Sequence, residues 1–202
     1  MKLYDNATAP NPRRVRIFLA EKGISLPVVQ VDIAKQENRG TEFRAKNPLG
    51  QVPVLELDDG TCISESVAIC RYFEELQPEP PLFGTGAKER AVTEMWQRRM
   101  ELELTQQVFF CFQNTHDFFK GRLPQVPAYG EVAKRRAEAT LALLDGVLAG
   151  RRFVAGERFT IADITALVGL DFWRVVKIRP APEHAHVQRW HAEVSARPSA
   201  KA

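Results

Sequence analysis

NPLGQVPVLELDDGTCISESVAICRYFEE, residues 47–75, runs a proline, a tight turn and a helix start together in quick succession. Proline has no N–H and is kept out of central strands, yet Pro53 opens the β-rich run 51–63. Two readings fit. One is an ordinary edge-strand proline. The other is a cis Val52–Pro53 bond that turns the chain and leaves the Val52 N–H and C=O free to pair with an extended peptide. Asp58–Asp59–Gly60 is a strong hairpin signal within this run. Ser64 is read as the cap of a helix over 65–76, with Glu65 and Ser66 in its first turn. Helix N-termini attract carboxylates. Here the Ser66 hydroxyl adds a hydrogen bond and Glu65 offers a partner to an ammonium, which suits a zwitterionic α-amino-carboxylate. Simple capping is the competing reading, because acidic residues are favoured at this place anyway.

Working back toward residue 1, the same small layer takes shape. Residues 1–4 read as a strand. In DNATAPNPRRVR (5–16), Asn11 reads as an N-cap and Pro12 as the first helical residue, where its missing N–H costs nothing. The helix over 12–22 sets Val15, Phe18, Leu19 and Lys22 on one face, and Gly23 stops it. Residues 26–33, LPVVQVDI, form a second strand; two strands joined by a helix of this length pair in parallel. A polar stretch, 34–50, follows. The order β-α-β, β-β-α describes a small α/β layer.

Beyond residue 76 the pattern changes. QPEPPLFGTG (77–86), rich in Pro and Gly, reads as a linker, and no strand is recognisable after it. Helices are expected over 88–119, ended by Gly121 and Pro124, and over 130–149, ended by Gly150. Two more lie in RFTIADITALVGLDFW (158–173) and EHAHVQRWHAEVSARP (183–198). Thr160 and Asp163 form a capping box with Phe159 and Ile164 as its staple, a structural feature. The expected division is an α/β domain at 1–78, a linker at 79–87 and an all-α domain at 88–202.

The totals narrow the function. Net charge is +3, from 28 basic and 25 acidic residues, and no Lys/Arg run exceeds two residues. That argues against a nucleic-acid surface. No apolar stretch is long enough for a membrane span, and no signal-like region opens the chain, so a cytoplasmic protein is expected. Three cysteines without a C-x-x-C make neither a disulfide framework nor a redox dithiol. His184, His186 and His191 lack companions that would complete a metal site, and Glu101 and Glu103, two apart, do not share a helix face. No metal is expected.

Three features therefore meet at the ends of neighbouring elements: two helix N-termini and a strand-opening proline. Open α/β sheets bind ligands at such an edge. A thiolate, a peptide backbone and an amino-acid head group, in that order, describe a short γ-linked thiol peptide.

The chain resembles the cytosolic glutathione transferases along essentially its whole length. The resemblance rests on MKLYD with PNPRRVRIFLAEKGI, on residues 47–75, and on FVAGERFTIADITA, in the right order and spacing. More narrowly, the chain is similar to a fungal and bacterial branch that lacks the usual Tyr, Ser or Cys at the active turn. The resemblance implies a thioredoxin-like first domain, a helical-bundle second domain and a homodimer. It also implies a detoxifying transfer of glutathione, the substrate thiol, to a small hydrophobic electrophile. Val52 beside cis-Pro53 would bind the cysteinyl backbone, and Glu65 with Ser66 the γ-glutamyl end. Asn38, Arg39 and Gln51 would face the glycine carboxylate; Asn38 and Gln51 stand where His and Lys are common, so Arg39 is the candidate to compensate. The same fold also serves as a non-enzymatic interaction module, or in glutathione-dependent lyases, dehalogenases and isomerases; these are the alternatives.

The active turn departs from the serine-type pattern: Ala9 occupies the place of the hydroxyl. A free thiol with a pKa of about 8.5 is only about 3% thiolate at pH 7. Lowering that pKa by two units takes about 2.7 kcal/mol. A helix N-terminus typically gives about 0.3–1 kcal/mol, and a hydrogen bond to a charged group about 1.5–3. One donor beyond the helix start is wanted. Candidates are the Thr8 hydroxyl, a backbone N–H near Asn11, or a water held by Gln113, Asn114 or His116, of which His116 can take a proton near neutral pH. A merely solvated His116 is the competing reading. Phe109, Phe112 and Trp173 are candidates for an apolar wall, although most of the rings at 109–119 are expected in the bundle core. Arg13 and Arg14 are expected to form a solvated face.

Overall fold

β1 (Lys2–Asp5) is the hinge of the first sheet. It pairs in parallel with β2 (Val28–Gln30) on one side and antiparallel with β3 (Val54–Glu56) on the other, and β4 (Cys62–Ser64) completes the order β2-β1-β3-β4. The coordinates, a computed structural model, describe residues 1–177 and 180–202. Two compact units emerge: Met1–Leu82 with Pro198–Ala202, and Phe83–Arg197.

The parallel pair is joined by α1 (Pro10–Lys22), which buries Val15, Ile17, Phe18 and Leu19. α3 (Ser66–Leu76) buries Ile69, Cys70 and Phe73. Between β3 and β4 the chain turns at Gly60, with φ +86 and the Leu57 N–H on the Thr61 C=O at 2.8 Å, as the Asp-Asp-Gly signal requires. The register carries the functional consequence. Tyr4 faces Val54 and Val54 faces Ser64 in one row across three strands. Because β3 runs opposite to its neighbours, the chain leaving β1, entering β3 and leaving β4 emerges at one end of the sheet.

Several boundaries differ from the sequence-based expectation. α1 begins at Pro10, not Pro12, and its N-cap is Ala9, extended at φ −81 and ψ 136, not Asn11. The cause is Pro10 itself: the residue before a proline is pushed out of the α region, and proline is well suited to the first helical position. Likewise α3 starts at Ser66 with Glu65 as N-cap, while Ser64 stays in the sheet. β2 is three residues long and exposed. It stops because Asp32 turns the chain, its carboxylate accepting the Lys35 N–H at 3.0 Å. The polar stretch 34–50 contains a 3₁₀ turn (Glu37–Arg39) and a short helix, α2 (Thr41–Lys46), whose one buried residue is Phe43. A single apolar residue leaves no periodicity to read. Gly50 closes this stretch at φ +62, and a Cβ there would lie 2.7 Å from the Asn38 C=O, so only glycine fits.

In the second unit, α4 (Gly86–Arg99) and α5 (Gln106–Thr115) are separated by a π-helical turn, Met100–Thr105, where one unbroken helix over 88–119 is expected. Close packing sits at that turn: a Cβ on Gly169 would lie 2.5 Å from Thr105 Oγ1. A 3₁₀ turn, Asp117–Phe119, follows α5, then α6 (Pro127–Leu148), α7 (Ile161–Phe172) and α8 (Ala185–Ser195). Residues 161–170 of α7 are all buried, as expected of a helix that is apolar all round. The capping box forms: the Asp163 carboxylate accepts the Thr160 N–H at 2.9 Å and the Thr160 hydroxyl at 3.1 Å. It also takes the Val154 N–H and the Trp190 ring N–H, each at 2.9 Å. Full burial outweighs these four donors and pushes the Asp163 carboxyl up to about 6. Among the described residues no helix is long and apolar enough to cross a membrane.

Candidate functional site

The turn after β1 is held from beneath. Asp5, 1% exposed, accepts Arg16 Nη1 at 2.7 Å and Gln30 Nε2 at 3.0 Å. Asn6 Nδ2 donates to the Val31 C=O at 2.9 Å, and Asn6 Oδ1 receives both the Thr8 N–H at 3.2 Å and the Thr8 hydroxyl at 2.9 Å. The Thr8 hydroxyl proton therefore already has an acceptor. Asn6, Arg16 and Gln30 do not stand out in the sequence, because each works through a neighbour on a different element.

The two prolines leave the helix start unusually poor in donors. Pro10 and Pro12 have no N–H, and the Arg13 N–H donates to the Ala9 C=O at 3.2 Å. Of the first four positions, only Asn11 keeps a backbone N–H to offer. Its side chain is orientated by Arg14, which is 2% exposed and donates Nη1 to Asn11 Oδ1 at 3.0 Å and to Ser66 Oγ at 2.6 Å. Arginine carries donors only, so the Asn11 oxygen must face it and the Asn11 NH₂ must face away. Arg14 thus ties the first turn of α1 to the first turn of α3. The expectation of a solvated Arg14 is overturned. The readable signal was spacing: positions 14, 18 and 22 share one helix stripe, and Phe18 and Lys22 are buried with Arg14.

At the start of α3, Glu65 is exposed and held at φ +68, outside the range a glutamate normally adopts. Such an outlier at a helix entry points toward function rather than away from it. Its carboxylate has no partner among the described residues. Ser66 is 5% exposed and, accepting from Arg14, keeps its own O–H to give. The Val52–Pro53 bond is cis, and Val52 lies beyond the ladder, which ends at Val54.

The loop beside Val52 assigns different parts to the three glycine-end candidates. Asn38 is buried, and its Nδ2 donates to the Gly50 C=O at 2.7 Å, so it shapes the loop rather than facing solvent. Arg39 and Gln51 are exposed; Arg39 Nη1 reaches the Leu49 C=O at 3.4 Å, and the Gln51 C=O accepts Asn47 Nδ2 at 2.8 Å. Cys70 is fully buried, which raises its thiol, so it is no nucleophile.

In the second unit, Phe109, Phe110, Phe112, Phe118 and Phe119 are all half-buried rather than core; Leu104, Val108 and Cys111 fill the core instead. Phe112 is the centre, with ring centroids of Phe119 at 5.0 Å, Phe172 at 5.1 Å and Phe118 at 6.2 Å. Trp173 does not join them. At 1% exposure it packs inside the bundle, and its neighbour Phe172, half-buried and 5.2 Å from Phe109, takes the place foreseen for it. The end of α7 decides this, since successive helical residues point about 100° apart. His116 is half-buried, 4.8 Å from the Phe112 ring, and its Nδ1 accepts the Phe118 N–H at 3.1 Å. His191 bonds Asp171 at 2.8 Å, and among the described residues no His, Cys, Asp and Glu gather as a metal site would need.

Residues 8–76 match the family model described as glutathione S-transferase, N-terminal domain, and residues 104–198 that of the C-terminal domain. The chain is 39% identical to Glutathione S-transferase 2 of Saccharomyces cerevisiae over 208 aligned residues, covering all of this chain and 88% of that protein. Among solved structures, it superposes with a TM-score of 0.95 on a glutathione S-transferase domain-containing protein of Marinobacter aquaeolei VT8, at 45% identity, covering 98% of this chain and 99% of the other. Gtt2 of Saccharomyces cerevisiae gives the same TM-score at 38% identity, covering 100% and 99%.

Proposed function

The chain belongs to the glutathione S-transferase family, and on that premise we propose that Asn11, orientated by Arg14, stabilises the thiolate that this enzyme makes from glutathione. The activity is transfer of the glutathione sulfur to an electrophile. The S–H proton passes to solvent, the thiolate attacks carbon, an S–C bond forms and the leaving group departs with its electron pair.

The observation that carries the reading is the Arg14 bridge, 3.0 Å to Asn11 and 2.6 Å to Ser66. It presents two donors from one residue, the Asn11 backbone N–H and the Asn11 NH₂, where Ala9 offers none. A buried cation behind them favours an anion further. Thr8 is left a minor part, because using its hydroxyl on sulfur means giving up its bond to Asn6, about 0.5–1.5 kcal/mol. Val52 takes the cysteinyl main chain as an added strand pair. Ser66 donates to the γ-glutamyl carboxylate, and Glu65 accepts from its ammonium. Arg39 and Gln51 meet the glycine carboxylate, over a loop that Asn38 shapes. Phe109, Phe112 and Phe172 supply apolar surface for the electrophile.

Conjugation of glutathione to 1-chloro-2,4-dinitrobenzene, followed with Asn11→Ala beside the parent, tests the reading. We expect turnover in the parent and about a tenfold or greater fall in kcat/KM in the variant, the loss of one hydrogen bond to a charged group. A parent that neither binds nor conjugates glutathione would return the chain to an interaction module. We further propose a cytoplasmic homodimer, as the family resemblance implies; a monomer mass by light scattering would refute it.

A further inference from the structure

We propose that the loop after α5 selects flat aromatic electrophiles that carry a carboxylate, with Arg122 as the residue that recognises it. This deepens the proposed transferase reading, because it names the class of co-substrate.

The rings come first. Five phenylalanines of the second unit, Phe109, Phe112, Phe118, Phe119 and Phe172, stay half-exposed around Phe112 although the bundle has a complete apolar core of its own. Exposed apolar clusters of that kind mark binding surfaces, and edge and face contacts at 5.0–6.2 Å leave ring faces to stack on. The loop is also pinned in advance. Gln125 Nε2 donates to the Gln113 C=O at 2.8 Å and the His116 C=O at 3.0 Å, and Asn114 Oδ1 accepts the Val126 N–H at 2.8 Å. A ligand arriving there does not have to order the chain.

The charge comes second. The Arg122 guanidinium lies over the Phe118 ring, 4.3 Å from its centroid. It is exposed, and neither it nor Lys120 has a carboxylate partner among the described residues. A guanidinium lying over a ring still has N–H donors to offer to a planar, two-oxygen acceptor. A carboxylate on an aromatic ring that stacks in the Phe112 cluster meets that requirement. A neutral arene uses the rings alone.

Two chloroarenes separate the terms: 4-chloro-3,5-dinitrobenzoate, which bears the carboxylate, and 1-chloro-2,4-dinitrobenzene, which does not. The readout is the ratio of their kcat/KM values. In Arg122→Gln that ratio is expected to fall about three- to tenfold, and Arg122→Lys to recover part of it, with the preference shrinking as salt is raised. A ratio unchanged in Arg122→Gln, both substrates moving together or not at all, overturns the proposal. Calorimetric binding of 3,5-dinitrobenzoate to the parent and to Arg122→Gln keeps the two readings apart. If neither chloride is conjugated but dinitrobenzoate binding depends on Arg122, the subsite stands and the transferase reading falls. Absent or Arg122-independent binding removes the subsite whatever the conjugation assays show.

Discussion

Asn11 carries two donors on one residue, and Arg14 decides which way its amide faces. A guanidinium 2% exposed, bonded to Asn11 and Ser66, couples the first turn of α1, proposed to hold the thiol, to the first turn of α3, proposed to hold the γ-glutamyl end. Losing it should therefore disturb both at once. Arg14→Gln is expected to raise the KM for glutathione and the pKa of its bound thiol together, by about tenfold and about one unit, the scale of one charge-assisted hydrogen bond. Steady-state kinetics against pH checks this; a change in KM with the kinetic pKa unmoved would assign Arg14 to the amino-acid end alone. At this scale the sequence was readable in part. Pro53, Glu65 and Ser66 can be singled out because each sits at a strand opening or helix start that local sequence marks. Arg14 cannot, because nothing in RRVR says that one arginine of the pair turns inward until the stripe 14, 18, 22 is traced.

Among the elements, α7 rests on one carboxylate. Asp163 joins the turn before the helix, its own N-cap and α8 through four hydrogen bonds, and burial pushes it up to about 6 from a model-peptide value of 3.8. An acid whose folded pKa is raised holds its proton more tightly in the folded state. Its contribution is full below about 3.8 and is lost as pH climbs through about 6, by about 3 kcal/mol in all. Urea unfolding between pH 4 and 7 is expected to show that decline, and Asp163→Asn, less stable overall, is expected to lose the slope. A slope that survives the substitution would place the titration elsewhere. The capping box was legible from Thr160 and Asp163, whereas the bond to Trp190 was not, since it spans 27 positions. The same holds for the π-helical turn at Met100–Thr105, where tight packing between Thr105 and Gly169 leaves no trace in helix propensity.

For the whole molecule, the succession of elements and the change from α/β to all-α followed from periodicity and from a linker rich in proline. Short pieces fixed by long-range bonds did not. α2 has one apolar residue to show, and the last five residues return to the first unit, where Ser199 bonds Glu21 and Arg13 donates to the Ala200 C=O at 3.0 Å. The shared end of β1, β3 and β4 brings three separate motifs to one edge of the sheet, and it follows from β3 running antiparallel to both neighbours. What the fold leaves to individual side chains is how the thiol ionises without a hydroxyl at position 9. Titration of glutathione's thiol on the intact protein, by the ultraviolet absorbance of the thiolate, measures this directly. The bound pKa is expected to lie about one to two units higher in Asn11→Ala than in the parent, with Thr8→Val close to the parent. An unchanged pKa in Asn11→Ala, or the larger shift in Thr8→Val, would contradict the proposed role of Asn11.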